Sequence, residues 1–362
     1  MNRNRRLRRP ERQTTTHYVT QLLLLAVVAL VFIVGTYGFK MYADTKNAFD
    51  NSFVQLGGRK KSDTDKKVEA TKPISILLLG TDTGALGRKE QQANSDTIML
   101  VTINPKKHRT TLLSIPRDTM AQIQDGKKND VAKINSAFMV GGSTTAAKTV
   151  EKLLNFKLDY YVTLNMGGLS KIVDAVGGVD VDVPFSWSDP GHDGGTFKKG
   201  KAHLDGTRAL QFARMRYKDP KGDYGRQMRQ QQVITAIVKS VLSAKTLTGY
   251  RKVLDSLHGN LQMNMDFNDL VSIANGYRTS ARTIRQKQLK ETGAWIGDAS
   301  YQIPSTEELQ KASDMVRSEL GESSETLDNE NVRQNSLNNG FDWGSGNNPH
   351  YYIYDANNNP IR

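Results

Sequence analysis

Three apolar runs follow one another between Pro73 and Thr119, and each is closed by residues that a buried strand does not contain. Ile74 to Leu79 lies between Pro73 and Gly80, Ile98 to Ile103 ends at Asn104-Pro105, and Thr110 to Ile115 ends at Pro116. Short runs of this kind, without polar alternation, read as strands buried on both faces. Each delivers charge near one end. Asp82 follows the first run, Asp96 precedes the second, and Arg117 with Asp118 follows the third. If consecutive runs pair antiparallel, all four residues reach the same sheet edge. Two carboxylates beside a guanidinium suit a divalent metal holding a phosphate. The plain alternative is a set of solvated charges at strand ends.

The N-terminal part imposes a second constraint. No formal charge stands between Arg12 and Lys40, and Leu22 to Phe39 is dominated by Leu, Val and Ala. That length spans the hydrocarbon core of a bilayer, with Tyr18 and Tyr37 placed for its two interfaces. Six arginines before residue 17, against Glu11, carry +5 of the net +13, while the residues after the run have mixed sign. The positive-inside rule therefore puts the N-terminus in the cytoplasm and everything after residue 40 outside. A retained anchor fits better than a cleaved signal, because no small-residue cleavage site follows the run. This orientation also argues against nucleic acid as a partner of the folded part. The sequence has no cysteine, which excludes disulfides and thiolate chemistry.

From Thr144 to Leu154 the apolar spacing predicts a helix, followed by a strand over 160–164 and a helix over 168–176 that ends at Gly177-Gly178. Val179 to Val183 alternates with Asp180 and Asp182 and reads as a half-exposed strand. Ser186 to Lys201 reads as a loop with a wetted lysine cluster. His192 and His203, near Asp193 and Asp205, only imitate metal-ligand spacing, because no helical or hairpin frame holds them.

A second charged block follows. Arg214 and Arg216 have the spacing that aims two guanidiniums the same way from extended chain. Asp223 reads as the N-cap of a helix, with Arg226, Arg229 and Gln230 on one face of its first turns. A helix start disfavours positive charge, and an anionic ligand would supply the reason for these arginines. Beyond Gly249 the pattern is mostly helical, with a strand or two between Gln286 and Gln302. Gly321 to Arg362 is rich in Asn, Ser and Gly and reads as disordered.

Taken in order, Leu77-Leu78-Leu79-Gly80-Thr81-Asp82, Ser95-Asp96-Thr97, Ser114-Ile115-Pro116-Arg117-Asp118, Lys133-Ile134-Asn135-Ser136-Ala137, Val173-Asp174-Ala175-Val176-Gly177-Gly178-Val179, Ala213-Arg214-Met215-Arg216 and Gly222-Asp223 to Gln230 resemble the LytR-CpsA-Psr family. The resemblance is strong over roughly residues 73–245 and weaker to about residue 320. It implies an α/β fold of three layers, α-β-α, with a central mixed sheet. It further implies a Mg²⁺-dependent phosphotransferase. Such an enzyme moves a polyprenyl-pyrophosphate-linked glycopolymer, of teichoic acid or capsule type, onto the C6 hydroxyl of N-acetylmuramic acid in peptidoglycan.

By position, the resemblance makes Asp82 and Asp96 the metal carboxylates. Arg117, Arg214, Arg216 and Arg226, with Gln230, become the pyrophosphate site. Arg117, Asp118, Arg214 and Arg216 are the candidate catalytic residues, Asp118 as a candidate general base. One departure is Asn94, which stands where the family often has arginine.

The expected organisation is a basic cytoplasmic tail (1–17), a transmembrane helix (18–39), a polar stalk (40–72), an extracytoplasmic catalytic domain (73–320) and a disordered tail (321–362). The expected location is the cell membrane, with peptidoglycan and the lipid-linked polymer as partners. Two alternatives remain: a polyprenyl-pyrophosphate hydrolase, and a non-catalytic wall-binding regulatory membrane protein.

Overall fold

The three apolar runs form the middle of one sheet. The structure, a computed structural model, describes residues 72–81, 94–126, 131–175, 177–192, 194–241, 260–265, 269, 280, 283–344 and 349–362. Strands β1 (Ile74–Thr81), β2 (Ser95–Asn104) and β3 (Arg109–Ile115) pair antiparallel in succession, as the runs predict. β6 (Tyr160–Asn165) adds parallel to β1, β11 (Leu261–Met263) antiparallel to β6, and β12 (Thr283–Gln288) parallel to β3. The central sheet is therefore mixed, in the order β11-β6-β1-β2-β3-β12.

Helices cover both of its faces. Ile74, Ile76, Val101 and Ile103 pack with α2 (Met166–Ala175), α3 (Gly206–Arg214) and α4 (Gly222–Val241) through Val173, Phe212 and Val233. Leu77, Leu79, Leu100 and Ile115 pack on the other face with α1 (Ser136–Leu154) and α5 (Thr306–Leu320) through Leu154 and Leu309. Leu77 and Leu100 are register partners and both fully buried. Burying each such side chain contributes roughly 1.5–3 kcal/mol. Continuous apolar runs are what a sheet covered on both faces requires.

Three expectations change. Ser186 to Lys201 is not a loop: Trp187 and Phe197 face each other in the hairpin of β8 (Trp187–Asp189) and β9 (Gly195–Phe197), and both rings pack on Phe212. β10 (Gly200–Leu204) then pairs with β7 (Val179–Val183). Asp223 is not the N-cap of α4, because the helix already begins at Gly222.

The segment 321–362 is not a disordered tail. It carries α6 (Glu330–Leu337) and buries Leu327, Tyr351 and Ile353. It has few aliphatic residues, but its amide side chains do the pairing. Asn338 Nδ2 donates to Tyr352 O at 2.8 Å and Gln334 Nε2 to Tyr354 O at 2.7 Å. Buried backbone carbonyls satisfied this way need no regular ladder.

The basic tail, the apolar span 18–39, the stalk up to residue 71, Asp82 and much of 242–282 lie outside the described residues. Among the described residues no helix is long and apolar enough to cross a membrane.

Candidate active site at the edge of the central sheet

The ladder between β1 and β2 breaks where the charge begins. Gly80 pairs with Thr97 but Thr81 pairs with Ser95, so Asp96 is the extra residue of a β-bulge. Bulges re-aim a side chain at the end of a ladder. Asp96 Oδ1 accepts a hydrogen bond from Arg117 Nη1 at 2.7 Å, so the carboxylate before β2 does meet the guanidinium after β3. Arg117 Nε lies 3.7 Å from Asp118 Oδ2, and Lys133 Nζ lies 3.0 Å from Asp118 Oδ1. Asp96, Arg117 and Asp118 are largely shielded from water yet not sealed off. Their side chains keep 15%, 20% and 20% of their surface.

The turn that carries Arg117 and Asp118 is tied down on every side. Thr119 N donates to Pro116 O at 3.1 Å, Ile134 N to Thr119 O at 2.8 Å, and Asn135 N to Arg117 O at 3.2 Å. The hairpin of β4 (Met120–Gln122) and β5 (Val131–Lys133) thus delivers Lys133 to Asp118. Lys133 belongs to the Lys133-Ile134-Asn135 motif, but its bond to Asp118 depends on a turn that spacing alone does not reveal.

From the other side, α4 leans onto the same end of the sheet through polar contacts. Thr97 Oγ1 donates to Gln230 Oε1 at 2.8 Å, Gln231 Nε2 to Ser114 Oγ at 2.6 Å, and Gln288 Nε2 to Gln227 Oε1 at 2.9 Å. Gln230 therefore stands one residue from Asp96 in β2. Arg226, one turn earlier, is buried on the same helix.

Arg214 and Arg216 do not sit on extended chain. Arg214 closes α3, whose N-cap Asp205 accepts from Arg208 N at 2.8 Å, and a turn from Arg216 to Asp219 follows directly. The apolar spacing of Ala209, Leu210, Phe212 and Ala213 carries the helix up to Arg214, because all four are buried. Both arginines are half-buried, and the Arg216 guanidinium lies 6.0 Å from the Tyr217 ring centre.

Arg229 has another purpose than an anionic ligand. Its side chain is 1% exposed, pairs with the equally buried Asp219, and donates to Phe212 O at 2.9 Å and to Met215 O. It thereby offsets the negative end of α3 and ties Arg214 and Arg216 to the helix that carries Arg226 and Gln230. Asp219 lies so close to Gly225 that a Cβ there would collide with its carboxylate.

Of the imitation metal residues, His203 and Asp205 are likewise accounted for, and Asp193 lies outside the described residues. His203 Nδ1 lies 2.8 Å from Asp180 Oδ1 and its Nε2 lies 3.1 Å from Gly177 O, while Asp205 is the cap described above.

A family model described as the LytR_cpsA_psr family matches residues 39–318. The chain belongs to this family. It is 39% identical over 299 residues to the polyisoprenyl-teichoic acid–peptidoglycan teichoic acid transferase TagU of Enterococcus faecalis, covering 83% of this chain and 94% of that one. It is 36% identical over 323 residues to biofilm regulatory protein A of Streptococcus mutans, covering 85% and 78%. Among solved structures, TagT bound to LIIa-WTA superposes with a TM-score of 0.60 at 29% identity, covering 74% of this chain and 99% of that one.

Proposed function

We propose that the chain is a phosphotransferase attaching a polyprenyl-pyrophosphate-linked glycopolymer, of teichoic acid or capsule type, to the C6 hydroxyl of N-acetylmuramic acid in peptidoglycan. The observation behind this reading is the joint placement of Asp96, Arg117, Asp118 and Lys133 beside the bulge of β2. A relative that covers most of the chain is named for the transfer of teichoic acid to peptidoglycan.

The donor carries charge on two phosphates, and phosphoryl transfer needs mainly positioning and neutralisation. Arg117, Arg214, Arg216 and Arg226 would hold the pyrophosphate oxygens, with Gln230 as a neutral donor alongside. The muramic hydroxyl oxygen bonds to the phosphorus next to the polymer, the bond to the polyprenyl phosphate breaks, and polyprenyl monophosphate leaves. Asp118 would take the hydroxyl proton.

Mg²⁺ binds through one or two carboxylates together with substrate phosphate oxygens, and in this reading Asp96 and Asp82 would be those carboxylates. Asp96 offers a hard carboxylate one residue from the ladder's end, and Asp82 follows β1 in the chain. A Mg²⁺ ion held by these carboxylates would supply neutralisation of the phosphate charge. The proposed location is the cell membrane, with the folded part outside.

Asp96→Asn tests the reading, since it keeps size and removes charge. With a synthetic polyprenyl-pyrophosphate-linked glycan and isolated sacculi, Mg²⁺-dependent transfer is expected to fall on the order of 100-fold or more. Unchanged transfer by a folded variant would return Asp96 to a strand-end charge. Free phosphate ester in place of polymer on glycan strands would identify a hydrolase. The regulatory alternative has one relative's name behind it, and it expects wall polymer content to be the same in Asp96→Asn cells.

A further inference from the structure

The family match ends at residue 318, yet the chain beyond it closes over the back of the candidate site. Thr119 bridges to Gln302 of β14 (Ala299–Ile303), β14 pairs with β13 (Thr292–Ile296), and Trp295 of β13 bridges to His350. The β4–β5 hairpin is thus continued across β14 and β13 into the C-terminal segment. Beneath it lies a third core, in which Met120 and Val131 of the hairpin touch the group formed by Tyr301, Ile303, Tyr351 and Ile353.

Three polar contacts close this assembly onto the turn after β3. Gln302 N donates to Asp118 O at 2.9 Å. Asn331 Nδ2, on the buried side of α6, donates to Met120 O at 2.7 Å. Arg362 Nη2 donates to Val131 O at 2.6 Å. The last two engage carbonyls on both strands of the hairpin, whose register pairs Met120 with Lys133. Lys133 in turn holds Asp118 and lies 5.5 Å over the Tyr301 ring. Asn331 is 3% exposed, and a buried amide aimed at a carbonyl 211 residues away in sequence serves that contact and little else.

We propose that the segment from Gly321 to Arg362 is a clamp that fixes the Asp118–Lys133 pair, with Asn331 as its positioning residue. The role of the pair in transfer rests on the reading given above. The clamp itself is a statement about which backbone is held, and it stands or falls separately. A short hairpin with a wide connection opens readily by itself. Pinning both of its strands from outside removes that freedom and keeps Lys133 on Asp118.

The test uses the full chain with Asn331→Ala, and Val183→Ala as a control that weakens the core on the opposite face of the central sheet. In Asn331→Ala, amide hydrogen exchange at 119–122 and 131–134 should quicken about tenfold, while β1 and β2 stay protected. Transfer from the polyprenyl-pyrophosphate-linked glycan should lose about tenfold in kcat per folded molecule, with donor KM within about twofold. Val183→Ala should show neither effect beyond its loss of folded protein. Unchanged exchange in the hairpin overturns the clamp. So does quickened exchange with activity that only follows the folded fraction, as in the control. If the natural chain transfers no polymer, the transferase reading fails and the exchange result alone decides whether the clamp exists.

Discussion

Arg226 and Arg229 stand three residues apart on one helix face, and burial alone does not tell them apart. What separates them is Asp219, which lies ten residues before Arg229 and reaches it only because the turn after α3 folds back over Gly225. Removing Arg229 leaves a carboxylate buried at 2% exposure without its cation. Arg229→Met is therefore expected to cost about 3–5 kcal/mol in denaturant unfolding, and adding Asp219→Leu should recover part of that loss. A stability change within 0.5 kcal/mol, on the order of an ordinary surface substitution, would mean that water reaches Asp219. Gly225→Ala should also destabilise, by roughly 1–3 kcal/mol, because the new methyl forces Asp219 away from Arg229.

The strands were readable for a simple reason: proline and glycine punctuate apolar runs that a two-faced sheet needs, and neighbouring runs pair antiparallel. The helical end of α3 was not, because Arg214 follows the last buried residue and the i, i+2 spacing of Arg214 and Arg216 fits an extended chain as well. α6 was missed for a different reason. Its buried positions are Asn331, Gln334 and Asn335, so it shows no apolar periodicity.

Charge holds α6 as well. Burial pushes Glu330 up, and hydrogen bonds from Arg333 and Gln334 outweigh it, so its carboxyl sits below the usual 4.5. A carboxyl with a depressed value in the fold stabilises above its unfolded value, and the gain is lost as pH falls through the folded value. Acidifying from pH 7 to below about pH 4 should therefore loosen the C-terminal segment. After allowance for solvent screening the effect is no more than about 1 kcal/mol. Tryptophan fluorescence, read through Trp295 and Trp343, should show an acid transition in the natural chain that shrinks in Glu330→Gln. An identical transition in both would assign it to other carboxyls.

For the whole chain, the arginine-rich start and the charge-free span predict that the folded part lies outside the membrane. A reporter that is active only outside, fused after residue 72, should be active, and the same reporter fused before residue 17 should be silent. Activity with the opposite pattern would remove the reading of an external transferase, because peptidoglycan and its polymer would then lie on the wrong side.

The amino-acid order alone was enough for the central strands, for the meeting of Asp96 with Arg117 at one sheet edge, and for membership of the family. Those depend on local signals: run length, breakers, and the reversal of direction between antiparallel neighbours. Folding in three dimensions decided which arginine is matched to Asp219. It also placed Lys133 on Asp118, set Asp96 in a bulge, and gave the Asn-rich C-terminal segment a core to cover. Each of these rests on a partner many residues away, and a hydrogen bond from a side-chain amide or guanidinium to a distant carbonyl leaves no period in the sequence.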